Sequence, residues 1–166
     1  ENGVNSKASF SPAQGWLIWA IATLFVVYQL MMQNGFGAIA EQVQTDLGLS
    51  IAGTGMLAAS FLIVYSLMQL PVGLLLDRTN ARWMLGIAAI TCGLLVYAFA
   101  QTETLWAAMI VRASIGAAAA FAFTGAGVLA RRWIRPTQFA LAMGLIDMCF
   151  GFGAVIGDVG FSMYMQ

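Results

Sequence analysis

Polar and charged residues in this chain are confined to narrow bands, and five long apolar stretches separate them. The stretches cover residues 15–40, 51–76, 83–100, 105–130 and 139–163. Each is near or above the roughly 20 apolar residues a helix needs to cross the hydrocarbon core of a bilayer. The second and third are joined by a tight charged hinge at residues 73–82, Gly-Leu-Leu-Leu-Asp-Arg-Thr-Asn-Ala-Arg. A soluble core helix does not carry so much continuous apolar sequence, whereas a chain that crosses a bilayer, turns and crosses back does. The pattern predicts an all-α membrane protein of five transmembrane helices behind a polar tail, residues 1–14. The first stretch is too long for a signal peptide and lacks its cleavage site. The fifth stretch ends with no polar flank, which predicts a chain cut from a larger bundle.

Composition narrows the function. The chain is 61% hydrophobic and 8% charged, where soluble domains carry about 25% charged residues. Eighteen glycines against three prolines suit closely packed membrane helices. There is no histidine, which removes the usual general base and the commonest metal ligand. No enzyme, cofactor or metal site is therefore expected, and a net charge of zero gives no reason to expect nucleic acid. Cys92 and Cys149 both fall inside apolar stretches and read as buried small residues rather than a disulfide or a metal pair.

The cations give an orientation. Lys7 lies in the tail, Arg78 and Arg82 in the hinge, and Arg131, Arg132 and Arg135 in the connection after the fourth stretch. With five spans these segments share one side, while the opposite loops hold only Glu41, Asp46 and Glu103. The positive-inside rule makes the basic side, and the N-terminus with it, cytoplasmic.

The hinge resembles the signature loop between helices two and three of the major facilitator superfamily, Gly-x-x-x-Asp-Arg/Lys-x-Gly-x-Arg/Lys. Gly73, Asp77, Arg78 and Arg82 stand at matching positions. Asn80 replaces the usual glycine, and asparagine also tolerates a left-handed backbone. Arg112 and Gly116 match an arginine-to-glycine spacing in the family's helix four. Gly144, Gly153 and Gly157 match the glycine spacing of helix five in antiporters, but Asp158 stands where that motif has proline. These glycines read rather as a packing face, where small residues let helix backbones approach. The resemblance implies part of an N-terminal six-helix bundle from a twelve-helix transporter, with residues 15–166 supplying five of its helices. It implies a plasma membrane location, the bacterial inner membrane, and a missing C-terminal half or another membrane subunit as partner beside the lipid bilayer. It also implies a conformational latch built from Gly73, Asp77, Arg78, Arg82, Arg131 and Arg132.

Charges in the hydrocarbon region are expensive, at roughly 3 kcal/mol on insertion scales. Arg112 lies about 12 Å into the fourth stretch and Asp147 about 13 Å into the fifth, by a rise of 1.5 Å per residue. Both fall near the midplane, and sequential antiparallel helices are usually neighbours. The geometry therefore allows an Arg112–Asp147 ion pair, which a rotation of either helix would break, and it reads either as a substrate or proton site or as a static pair fixing helix register. Asp158, about 20 residues into the same stretch, reads as a solvated end. The first stretch adds Tyr28, Gln29, Gln33 and Asn34, with Gln29 and Gln33 one turn apart on one face. The resemblance implies that helices one and four line a cavity, which aims these amides at Arg112. Their other reading is interhelical hydrogen bonding, and the same choice applies to Tyr65 and Gln69.

Two functions follow. One is ion- or proton-coupled transport of a small anionic or polar organic solute by alternating access. The other is a non-transporting membrane subunit or scaffold that keeps the fold inside a larger complex. Nothing in the sequence names the solute.

Overall fold

The structure is a computed structural model that describes residues 11–164, with side chains as far as Phe152 apart from Phe150. Residues 1–10, with Lys7, lie outside the described residues, as do the side-chain environments of Gly153, Gly157 and Asp158. Five helices follow one another: α1 (Pro12–Asp46), α2 (Ile51–Arg78), α3 (Ala81–Phe99), α4 (Leu105–Trp133) and α5 (Phe139–Tyr164). A short 3-10 turn, Pro136–Gln138, leads into α5.

Local chemistry fixes the helix ends. Ser11 and Gln14 form a capping box at the start of α1, with Pro12 in the first turn where its missing N–H costs nothing. Gly48, at φ +59, ends α1 in the left-handed conformation that only glycine adopts without strain. Ser50 and Thr104 cap α2 and α4 through the backbone N–H groups of Gly53 and Ala107. Asn80 corrects the sequence expectation. Its φ is −81, so no left-handed backbone is needed. Instead its side-chain oxygen accepts from the Arg82 N–H at 3.1 Å and caps α3, a position that favours asparagine, aspartate and serine.

Among the described residues, four helices, α1 to α4, are long and apolar enough to cross a membrane. Their large side chains also face outward. Trp83, Ile87, Ile90, Leu94 and Tyr97 on α3 are all more than half exposed, repeating every three or four residues along one face. Such a stripe suits lipid, with the aromatic residues at its two ends.

The bundle is built around α4, which packs against α1, α2 and α3. Its small side chains are the cause. A Cβ on Gly116 would sit 2.5 Å from the Phe61 carbonyl oxygen of α2, and one on Gly125 would overlap the Leu85 side chain of α3. Nine residues turn a helix by about 180° beyond whole turns, so these glycines admit two helices on opposite faces of α4. At the far end Gly15 meets the Trp133 carbonyl in the same way.

Sequence order is a poor guide to neighbours. The hairpin pair α2 and α3 barely touch, and α5 packs along α1 while hardly meeting α4. Gly144 on α5 has open space where its Cβ would stand, so the packing face expected there is not occupied at this position. Cys92 is buried and Cys149 only half-buried, and both are free thiols.

Candidate functional site

Arg112 lies in the loop-47–50 half of the bundle, with 6% of its surface exposed. Its guanidinium carbon is 3.6 Å from the centroid of the Phe36 ring, 5.4 Å from Phe61 and 5.9 Å from Phe99. Three helices, α1, α2 and α3, therefore each turn an aromatic ring toward one cation on the fourth. The π faces supply part of the electrostatic stabilisation lost on leaving water, about 2 kcal/mol for a desolvated pair. They supply no hydrogen bond, and the buried Nε of Arg112 has no partner among the described residues.

The Arg112–Asp147 pair that similar depth allows is not formed. Asp147 is exposed on α5, and among the described residues the ion pair found joins two other side chains. The physical reason is the packing just described. Similar depth cannot bring two residues together when α5 runs along α1 and not along α4.

Beside Arg112 the structure has a cavity of about 200 Å³ between α1, α3 and α4. Met31, Met32, Phe36, Val96, Phe99 and Ile115 provide most of its wall, and Arg112 is the charged group on it. Gln29 is fully buried on the same stripe of α1 as Phe36, seven residues away. Its Nε2 donates to Gln33 Oε1 at 2.8 Å, while its own Oε1 and the Nδ2 of Asn34 are buried without a partner. Tyr28 is half-buried and stacks on Phe25 at 6.5 Å. Gln29 bonds to Gln33 and not to Arg112, so α1 presents Phe36 to the cation. On α2, Gln69 Oε1 accepts from Thr124 Oγ1 of α4 at 2.5 Å, and the Tyr65 ring stacks on Phe61.

A second constellation sits at the opposite, basic end. Arg131 of α4 reaches Asp77 of α2, Nη2 to Oδ1 at 2.5 Å, with the side chains 61% and 49% exposed. Arg132 donates to the Leu76 carbonyl at 2.6 Å, satisfying one of the orphan acceptors at the end of α2. Gly73, Asp77 and Arg131 line an open crevice of about 270 Å³ with Thr124, Gly127 and Phe139. Of the six residues expected to form a latch, Gly73, Asp77, Arg131 and Arg132 are brought together here. Arg78 and Arg82 are exposed and take no ion-pair partner among the described residues.

Sequence reasoning missed the rings of Phe36, Phe61 and Phe99, and also Thr124. A signal existed for the rings. A buried arginine without an acid at its depth needs another electron-rich neighbour, and each of the first three spans carries phenylalanine toward the same end.

The family model for the Major Facilitator Superfamily matches residues 14–165. The chain is similar to the inner membrane transport protein RhmT of Escherichia coli, 32% identical over 80% of this chain and 30% of the relative. It is 30% identical to the membrane sensor protein UhpC of E. coli, over 55% of this chain and 21% of that protein. The probable anion transporter 4, chloroplastic, of Arabidopsis thaliana is 29% identical, over 66% of this chain and 21% of its own length. The chain spans no more than a third of the length of these curated relatives.

Proposed function

The chain belongs to the major facilitator superfamily, and from that premise we propose that it is the N-terminal part of a transporter carrying a small organic anion by alternating access. The observation that supports this most directly is Arg112, buried at 6% exposure with an unpartnered Nε. A cation at this depth is expensive, and a structural role would bring a carboxylate to it. An anionic solute is the partner that comes and goes. The name of one relative, a probable anion transporter, agrees with this reading.

In the same reading, Asp147 couples transport to protons or another cation. It is an exposed carboxylate about two turns into an apolar helix, and a counter-charge for it belongs to a C-terminal half that packs against α5. Asp77, Arg131 and Arg132 hold the basic end closed in one conformational state. That end faces the cytoplasm of a bacterial inner membrane, as the positive-inside rule directs. Ser50 and Thr137 are both exposed. In a background with Cys92 and Cys149 replaced by serine, a cysteine at Ser50 should react with an impermeant thiol reagent on intact cells. One at Thr137 should not, and the reverse pattern inverts the topology.

The functional test is uptake of organic anions into proteoliposomes holding the full-length protein, with and without a pH gradient. Saturable uptake that Arg112→Gln abolishes supports the proposal. Uptake of neutral or cationic solutes that ignores Arg112→Gln overturns it. The relative named as a sensor favours a second reading, in which the solute binds but is not carried, and Arg112-dependent binding without uptake would establish that one.

A further inference from the structure

The wall of the Arg112 cavity says more about the anion than the arginine does. The cavity is small, about 200 Å³, below the usual range of about 300–1,000 Å³ for ligand sites. Among the described residues one charged side chain, Arg112, lines it. The rest of the described wall, chiefly Met31, Met32, Phe36, Val96, Phe99 and Ile115, offers no side-chain donor, and its acceptors are the weakly accepting methionine sulfurs. A hydroxyl placed against that wall gives up its water and gains little, and a buried polar group left without a hydrogen bond costs about 1–3 kcal/mol. A methyl group in the same place is stabilised by leaving water. The α1 amides that would suit a polyhydroxy solute are not on the described wall, and Gln29 Nε2 donates to Gln33.

Resting on the anion reading above, we propose that the solute is a compact monocarboxylate with an apolar body. Its carboxylate meets the guanidinium of Arg112, and its hydrocarbon lies among Met32, Phe36, Val96, Phe99 and Ile115. Among the described residues Arg112 is the one charged group on the cavity, and one carboxylate matches it.

Isovalerate and glycerate make a matched pair of probes, equal in charge and in number of non-hydrogen atoms, one with a branched hydrocarbon and the other with hydroxyls. Inorganic phosphate is the third probe. Binding is measured by titration calorimetry on the full-length protein in nanodiscs. Isovalerate should bind at least about fivefold more tightly than glycerate, the ratio expected when even one hydroxyl is left unpaired. Met32→Asn, which adds a polar group to the wall and leaves Arg112 in place, should shrink that ratio severalfold. Arg112→Gln should remove isovalerate binding, and Arg112→Lys should retain part of it. Glycerate or phosphate binding more tightly than isovalerate, and depending on Arg112, would overturn this inference while leaving the anion site intact. So would an isovalerate preference that Met32→Asn leaves unchanged. Anion binding that is indifferent to Arg112→Gln overturns the anion reading itself.

Discussion

α4 carries two kinds of arginine, and they live in opposite physical worlds. Arg112 and Arg131 stand nineteen residues apart, about 28 Å along one helix. Arg131 is 61% exposed and bound to Asp77, in water that screens the pair to about 0–1 kcal/mol. Arg112 is 6% exposed, faces three rings and lacks a counter-ion among the described residues. Its contact with Phe36 returns about 2 kcal/mol against a desolvation penalty of several kcal/mol. The exposed pair is cheap to make and to break, which suits a contact that exchanges between conformations. The buried cation is a standing cost, which suits a group whose partner arrives from outside the bundle.

Arg112→Met is the hardest test of that contrast. Solute uptake by the full-length protein should fall by about a hundredfold or more, the value of losing a charged hydrogen-bonded contact. Thermal stability in detergent should stay level or rise, since a well-packed apolar side chain commonly equals or betters a buried charge. A large loss of stability would make Arg112 a structural residue and erase the difference between the two sites.

Gly116→Val tests whether the rings are held in place by backbone approach. Its Cβ would meet the Phe61 carbonyl, and forcing α2 from α4 should cost about 1–3 kcal/mol. The thermal midpoint should drop, and solute binding should weaken with it because Phe61 belongs to the Arg112 cage. Unchanged stability would mean that the crossing relaxes freely.

Asp77→Asn should change stability by less than about 1 kcal/mol and still lower the transport rate severalfold, because a transporter balanced within a few kcal/mol responds to such a change. Wild-type turnover from a well-inserted mutant would remove the latch. Misfolding would make the pair structural.

The smallest expected effect is the coupling between Arg112 and Asp147. A double-mutant cycle with Arg112→Gln and Asp147→Asn should return an interaction energy within about 0.5 kcal/mol of zero in stability. A clearly larger value would restore the direct pair and place α5 against α4.

Much of this was legible one residue at a time. The five apolar stretches are set by the thickness of a bilayer, and the hinge by a short charged turn between two of them. Asn80 shows how a correct position can carry the wrong mechanism. Its place in the hinge points to a tolerance for left-handed backbone, whereas its side chain caps α3 at φ −81. Arg112 stood out because charge inside an apolar run is costly wherever the helix turns. The cage around it did not, because Phe36, Phe61 and Phe99 are scattered over three helices whose rotations are not written in spacing.

Sequence alone determined what must cross the membrane and what must stay at its surface, because burying charge or leaving backbone groups unpaired in hydrocarbon is prohibitive. Tertiary structure alone decided which helices touch. Lipid is as apolar as a leucine side chain, so no hydrophobic force selects neighbours among spanning helices. Close approach does, at Gly116 and Gly125 on opposite faces of α4. That choice seats α5 on α1, parts Asp147 from Arg112, and leaves the buried cation facing an apolar cavity.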